Sequence, residues 1–315
     1  MSATARLAGR ARPVARPNPG VAALLVRDDQ VIARGWTQAG GRPHAEAIAL
    51  VGFEEGGAKG ATLYVTLEPC AHQSERGPAC TDLVMAARPS RVVIGQSDPD
   101  PRTAGLGARR IERAGIAVTV LGDDASRQSL AGYLTRAAHG RPHVTLKLAM
   151  SLDGAIALAS GESQWITGDA ARAHVHSRRA QHDAILVGGG TWRADKPRLD
   201  VRLHGLEARS PDRVLLTRGV APDGVTVINE PAQIATLQGV QYLYVEGGAG
   251  AAASFLAKDM VDELHIYRAP IVIGGGLPAL GDIGLSSLSD AHERWRLSES
   301  RQLGSDTFTA YLRTR

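Results

Sequence analysis

The sequence predicts two consecutive α/β domains, on three observations. Its 315 residues correspond to two domains of roughly 150 residues each. From Val21 to Leu121 β-rich runs alternate with helix-like stretches. That alternation is the pattern of a partly parallel sheet in a three-layer α/β domain. The pattern breaks at His139-Gly140-Arg141-Pro142, a turn-like linker, and a second alternation begins at Val144. The boundary placed there gives domains 1–141 and 142–315.

Taken in order, residues 2–10 suit a short helix. Arg16-Pro17-Asn18-Pro19-Gly20 then reads as a tight loop. Val21–Val26 and Val31–Gly35, joined at Asp28-Asp29, read as a hairpin. Pro43 suits a helix start, so His44 and Glu46 fall in the first turn of a helix continuing through Ile48 and Leu50. Ala61–Leu67 is a strand of the buried type. It delivers Glu68, Pro69 and Cys70 at its C-terminal end, where open α/β sheets place their sites. Cys80 opens the next helix, and a strand at 91–95, a helix at 105–114 and a strand at 116–121 follow.

In the second half, a strand starts at Val144. Thr167–Asp169 can cap a helix running to about Gln181. Asp183–Val187 is a short buried strand ending in Gly188-Gly189-Gly190-Thr191. Further strands fall at 213–217, 225–228 and 241–246. The last runs into Glu246-Gly247-Gly248-Ala249-Gly250 and a helix start at Ala251–Phe255. Such a turn lets backbone N–H groups approach a phosphate, although a plain tight turn reads the same way. It is not the dinucleotide fingerprint. Strands at 262–268 and near 293–299 and 306–313 complete the domain.

The chemistry concentrates in Pro43-His44-Ala45-Glu46, Glu68-Pro69-Cys70 and Cys80. One imidazole and two thiolates are three ligands for zinc. They leave the fourth tetrahedral position open, as in catalytic sites. Glu46, two residues after the histidine, is placed to move protons to and from an activated water. His-x-Glu followed by Pro-Cys is the general signature of zinc deaminases. Asn18 precedes the first strand, where its amide either reaches a pocket or bonds its own turn.

Composition narrows the partners. Aromatic residues make up 4%, few for stacking bases, which argues against single-strand nucleic-acid binding. The net charge is +4, with Arg6, Arg10, Arg12 and Arg16 near the start. Four arginines without interleaved aromatics read as a solvated segment. There are 2 cysteines, too few for a secreted disulfide scaffold. No stretch reaches the roughly 20 apolar residues of a membrane span, and no leading apolar run has signal-peptide length. A cytoplasmic enzyme of small molecules, contacting neither nucleic acid nor membrane, is expected.

Residues 17–122 resemble the deaminase domain of the bacterial bifunctional riboflavin-biosynthesis proteins, the RibD family, within the cytidine-deaminase-like superfamily. The shared words are Pro-Asn-Pro at 17–19, Pro-His-Ala-Glu at 43–46, Thr-Leu-Glu-Pro-Cys at 66–70 and Asp-Pro-Asp-Pro at 98–101. The second half resembles the reductase domain of the same family, which is dihydrofolate-reductase-like and uses NADPH. It shares Lys-Leu-Ala-Met-Ser-Leu-Asp-Gly at 147–154, Ser-Gly-Glu-Ser-Gln-Trp-Ile-Thr at 160–167, Asp-Ala-Ile-Leu-Val-Gly at 183–188 and Val-Glu-Gly-Gly at 245–248.

The resemblance implies zinc on His44, Cys70 and Cys80, with Glu46 as the proton shuttle. It implies NADPH at Ala149, Trp165, Thr191, Asp195 and Gly248. Substrate falls at Asn18, Ser163, Arg179, Leu199, Arg202 and Glu246. Arginine forks at 179 and 202 suit a ribose phosphate. The implied reactions are deamination of a diaminopyrimidinone carrying a ribosylamino 5′-phosphate, then reduction of its ribose. A homo-oligomer is expected by the same resemblance.

Four departures stand out. Nine residues separate Cys70 from Cys80 where the family has eight. Thr37 and Gln38 stand where it tends to carry a histidine. Asp100 replaces a frequent asparagine, and Lys196 the second acid of an Asp-Asp-Pro. Thr37, Gln38 and the longer Cys70–Cys80 loop motivate one alternative, a reductase whose first half is a silent structural-zinc module. The retained Glu46 opposes it, since a structural site needs no proton shuttle.

Overall fold

The structure is a computed structural model describing residues 1–73, 75–220 and 222–315. It divides into two compact units, Met1–Gly140 and Arg141–Arg315.

The first unit runs α1 (Ser2–Ala8), β1 (Ala22–Arg27), β2 (Gln30–Trp36), α2 (Ala45–Ala49), β3 (Thr62–Leu67), α3 (Cys80–Ala87), β4 (Arg91–Gln96), α4 (Leu106–Arg113), β5 (Ala117–Val120), α5 (Asp124–Ser129) and α6 (Ala131–His139). Its sheet has the order β2-β1-β3-β4-β5. The β1–β2 hairpin pairs antiparallel, β1 joins β3 antiparallel, and β3, β4 and β5 are parallel. Asp28 and Asp29 both take positive φ, 49° and 58°. That conformation lets a two-residue turn match the strand twist.

The three layers follow from strand register. Ala23 pairs with Gly35 and Val65, and Val65 with Ile94, so these residues share one face. The helix α2 lies on that face. A Cβ on Gly35 would stand 2.2 Å from the Ala45 carbonyl. Thr66 and Gly95 lie on the opposite face, where a Cβ on Gly95 would meet Ser126 of α5 at 2.1 Å. Val21, Leu25, Leu63, Leu67 and Val92 join the first face in the apolar core with Ala45, Ala49 and Val84.

The second unit runs β6 (His143–Met150), β7 (Ala155–Ala157), α7 (Asp169–Arg179), β8 (Ala184–Gly188), α8 (Gly189–Asp195), β9 (Asp212–Leu216), β10 (Thr226–Ile228), β11 (Tyr242–Val245), α9 (Ala249–Ala257), β12 (Glu263–Arg268), β13 (Leu277–Pro278), β14 (Trp295–Leu303) and β15 (Asp306–Arg313). The main sheet has the order β10-β9-β8-β11-β6-β12-β15-β14, parallel from β10 to β12, with β15 and β14 antiparallel. Alternate residues of β8 divide its two faces. Ala184 and Leu186 pack with Phe255 of α9, while Ile185 and Val187 pack with Val175 of α7.

Several expectations shift. The helix after Pro43 is short: His44 is its N-cap and Ala49 its last residue. Leu50 leaves the helical region and Gly52 turns the chain with φ 80°. No side chain from 167–169 caps α7. Gly168 is the N-cap, and its N–H donates to Asp306 Oδ2 at 2.7 Å, from 138 residues away. His139 belongs to α6, so the connection to β6 is shorter than the turn-like stretch suggested. The helices α5, α6 and α8 went unread. Asp123 caps α5 by accepting from the Ser126 N–H at 3.0 Å.

Candidate functional site

In the first unit, the C-terminal end of β3 and the N-termini of α2 and α3 bring His44, Cys70 and Cys80 together. One donor atom from each lies within 4.8 Å of the others. His44 Nδ1 is 3.3 Å from Cys80 Sγ and 3.7 Å from Cys70 Sγ. Ligands of a tetrahedral zinc at usual bond lengths stand about 3.5 Å apart, so the donor set fits the ion. The sulfurs differ in charge preference. Cys70 accepts hydrogen bonds from the Cys80 thiol and backbone N–H, the latter at 3.3 Å, which holds its thiol down to about 4. Cys80 is pushed up by its bond to Cys70 and by burial. A cation held between them would favour both thiolates.

Glu46, in the first turn of α2, is 3% exposed. Burial raises its carboxyl above the ordinary range, the direction that suits a group trading protons near neutrality. Asn18 Nδ2 donates to the Gly41 carbonyl at 3.0 Å and lies 3.4 Å from His44 Nε2. Thr37, 1% exposed, accepts from the Val21 N–H at 3.0 Å. It follows β2 directly, and Gln38 donates to the Trp36 carbonyl at 2.6 Å.

Asn18, Thr37, His44, Glu46 and Cys70 line a cavity of about 380 Å³. Its wall contains groups that sequence reasoning did not assign. Glu68 accepts three backbone N–H bonds, from Asp98 at 3.3 Å, Gly105 at 2.9 Å and Ala108 at 3.0 Å. It thereby ties the Pro69-Cys70 turn to the 98–108 segment. Asp98 accepts from Tyr133 Oη at 2.6 Å, and burial raises its carboxyl. An acidic residue ending a buried strand was the available signal for Glu68.

In the second unit, the carboxyl ends of the adjacent strands β8, β11 and β6 converge. Gly248, N-cap of α9, donates its N–H to Thr191 Oγ1 at 3.1 Å. Glu246 receives Arg179 Nε at 2.6 Å and Nη2 at 3.0 Å, and Lys147 Nζ lies 3.6 Å away. Arg179 Nη1 also donates to the Asp200 carbonyl at 2.9 Å. Burial pushes the Glu246 carboxyl up, but Arg179 and Lys147 outweigh it and hold it at about 2. The Arg179 fork is thus engaged by Glu246. Arg202 lies near, its backbone N–H on His176 Nδ1 at 3.2 Å and its Nε 3.5 Å from Asp200.

Leu199 is buried and holds φ 57°. Ala149 stands near the end of β6, in register with Tyr267. Trp165 is 64% exposed, with the Arg172 guanidinium 4.8 Å over its ring. Among the described residues no hydrogen bond joins Ser163, Trp165 or Asp195 to the Glu246 group. Lys147 was missed as an individual residue although it lay inside a recognised word. In an apolar strand such as β6 an interior lysine is the signal.

No helix among the described residues is long and apolar enough to cross a membrane. Residues 1–96 match the family described as cytidine and deoxycytidylate deaminase zinc-binding region, and residues 142–309 match the RibD C-terminal domain. The riboflavin biosynthesis protein RibD of Escherichia coli K12 is 36% identical, over 97% of this chain and 96% of its own. That of Mycobacterium tuberculosis H37Rv is 37% identical over 92% and 89%. Among solved structures, a diaminohydroxyphosphoribosylaminopyrimidine deaminase/5-amino-6-(5-phosphoribosylamino)uracil reductase from Thermotoga maritima superposes with TM-score 0.85. It is 29% identical, covering 100% of this chain and 97% of that one. Acinetobacter baumannii RibD gives 0.84 at 32% identity, covering 100% and 99%. Matched along nearly its whole length and in both halves, the chain belongs to the RibD family, bifunctional deaminase/reductases of riboflavin biosynthesis.

Proposed function

We propose that the first unit deaminates 2,5-diamino-6-ribosylamino-4(3H)-pyrimidinone 5′-phosphate and that the second reduces the ribosyl chain of the product with NADPH. The observation that carries the first half is the His44, Cys70 and Cys80 group beside buried Glu46 in one cavity. Zinc held by those three residues supplies Lewis-acid activation of water. The water oxygen adds to the ring carbon that bears the amine, and the carbon–nitrogen bond breaks. Glu46 takes one water proton and hands it to the ring nitrogen, then carries the proton of the added hydroxyl to the amine, which leaves as ammonia while the ring carbonyl forms. Its burial supports this role, because a raised carboxyl both accepts and returns a proton.

For the second half, Ala149, Trp165, Thr191, Asp195 and Gly248 would hold NADPH, which supplies a hydride to the opened ribose carbon. Ser163, Arg179, Leu199, Arg202 and Glu246 would orient the substrate. Arg179 acts through Glu246, which it keeps ionised, and Arg202 is the more open of the two guanidiniums, with a side chain 53% exposed. The proton that completes the reduction has no assigned donor. We place the enzyme in the cytoplasm as a homo-oligomer.

The test is ammonia release by zinc-loaded protein without NADPH, then NADPH oxidation once the cofactor is added. Glu46→Gln should release ammonia at least about 100-fold more slowly. It should still oxidise NADPH when given pre-deaminated substrate. Wild type that oxidises NADPH only with pre-deaminated substrate would instead be a reductase with a silent zinc module.

A further inference from the structure

The deaminase cavity carries more positive charge than the chemistry at its floor employs. Arg42, Arg76 and Arg102 all line it. Arg102 is engaged by Asp100, with Nε 3.0 and 3.1 Å from the two carboxylate oxygens and Nη2 2.5 Å from one of them. Arg76 donates to the Gly40 carbonyl at 2.8 Å. That bond closes the long Cys70–Cys80 loop against the 39–41 turn.

Arg42 has no hydrogen bond or ion pair among the described residues. It is half-buried, and its Nη1 lies over Gly77, 3.3 Å from where a Cβ would stand. Arg42 and Arg76 therefore flank one seam at the cavity. The nearby acids have other partners. Glu68 is held by backbone N–H groups, Asp98 by Tyr133 and Asp100 by Arg102. A half-buried guanidinium without a counter-ion is costly unless a ligand supplies one. Its planar fork matches a phosphate in two-point contact.

We propose that Arg42 is the phosphate-recognition residue of the deaminase site, a specificity determinant for the 5′-phosphate of the pyrimidine substrate, with Arg76 beside it. This rests on the deaminase reading above. A cavity of about 380 Å³ falls within the range that holds small ligands, and Arg42 supplies the anionic end of such a ligand with its partner.

The test uses the full zinc-loaded chain with Arg42→Gln, which removes charge at similar length, and Arg42→Lys, which keeps it. The readout is the preference for the phosphorylated over the dephosphorylated diaminopyrimidine riboside, as a ratio of kcat/KM for ammonia release. The ratio should fall at least about tenfold in Arg42→Gln and be largely restored in Arg42→Lys. An unchanged ratio in Arg42→Gln overturns the assignment. A second arm does not depend on turnover. Calorimetric titration with ribose 5-phosphate, NADPH being saturating, should show in wild type a binding event that Arg42→Gln lacks, beyond the one at the second unit that both proteins share. Equal titrations would overturn it. If wild type releases no ammonia, the deaminase reading fails, and the titration still decides the role of Arg42.

Discussion

The side chain of Glu246 is 10% exposed and that of its partner Arg179 is 11% exposed. Removing one member of such a buried pair strands the other charge and typically costs about 3–5 kcal/mol. The pH dependence has a definite sign. Glu246 is held at about 2 against an ordinary 4.5. A carboxyl depressed by folding stabilises the fold above its ordinary value, and that stability is lost as pH falls through 4.5 toward 2. Glu263, also held at about 2 because His265 outweighs its burial, loses its contribution over the same window. Glu246→Gln should therefore lower stability by about 3–5 kcal/mol at pH 7, with a smaller deficit near pH 3. Urea unfolding of both proteins at the two pH values measures this. A deficit equal at both would show that lost packing, not the ion pair, is responsible.

Elements, more than single residues, set the zinc geometry. His44 and Glu46 ride on α2, five residues long and too short to hold itself. It is fixed by contact with β2, where a Cβ on Gly35 would fall 2.2 Å from the Ala45 carbonyl. Gly35→Ala should push α2 off the sheet and cut zinc occupancy severalfold as measured by metal analysis, together with a lowered Tm. Full occupancy would mean that the helix shifts without cost. Glu68→Gln tests the opposite wall. A carboxylate satisfying three N–H groups becomes an amide with one acceptor oxygen, at a cost of roughly 1–3 kcal/mol in urea unfolding. Wild-type stability in that variant would mean the 98–108 segment does not depend on Glu68.

Much of this was legible in advance. Strand–helix alternation gave the parallel core, and the ligand words fell at strand and helix ends. Glu68 was opaque as a tether because its partners lie 30 to 40 residues away. The helix α5 was opaque because Asp124-Ala-Ser-Arg-Gln-Ser carries no apolar stripe. The N-cap of α7 was opaque because its partner is Asp306. The Glu68 and Asp306 bonds are tertiary contacts that no local pattern encodes.

At the scale of the whole molecule, the chemistry divides as the cores do. The candidate zinc ligands and Glu46 lie in Met1–Gly140, while the Glu246, Arg179 and Thr191 group lies in Arg141–Arg315. Each unit has its own apolar core. Nor is the first unit built around the metal. Its core joins residues of β1, β3, β4, α2 and α3. Zinc removal should therefore disable one activity without unfolding the chain. After treatment with a chelator and its removal by gel filtration, ammonia release should fall about 100-fold or more, since the activated water is lost. NADPH oxidation with pre-deaminated substrate should stay within about twofold of the untreated protein, because hydride transfer needs no metal. Adding back zinc should restore ammonia release. Parallel loss of both activities, with far-ultraviolet circular dichroism unchanged, would show instead that the second unit depends on the metal-loaded state of the first.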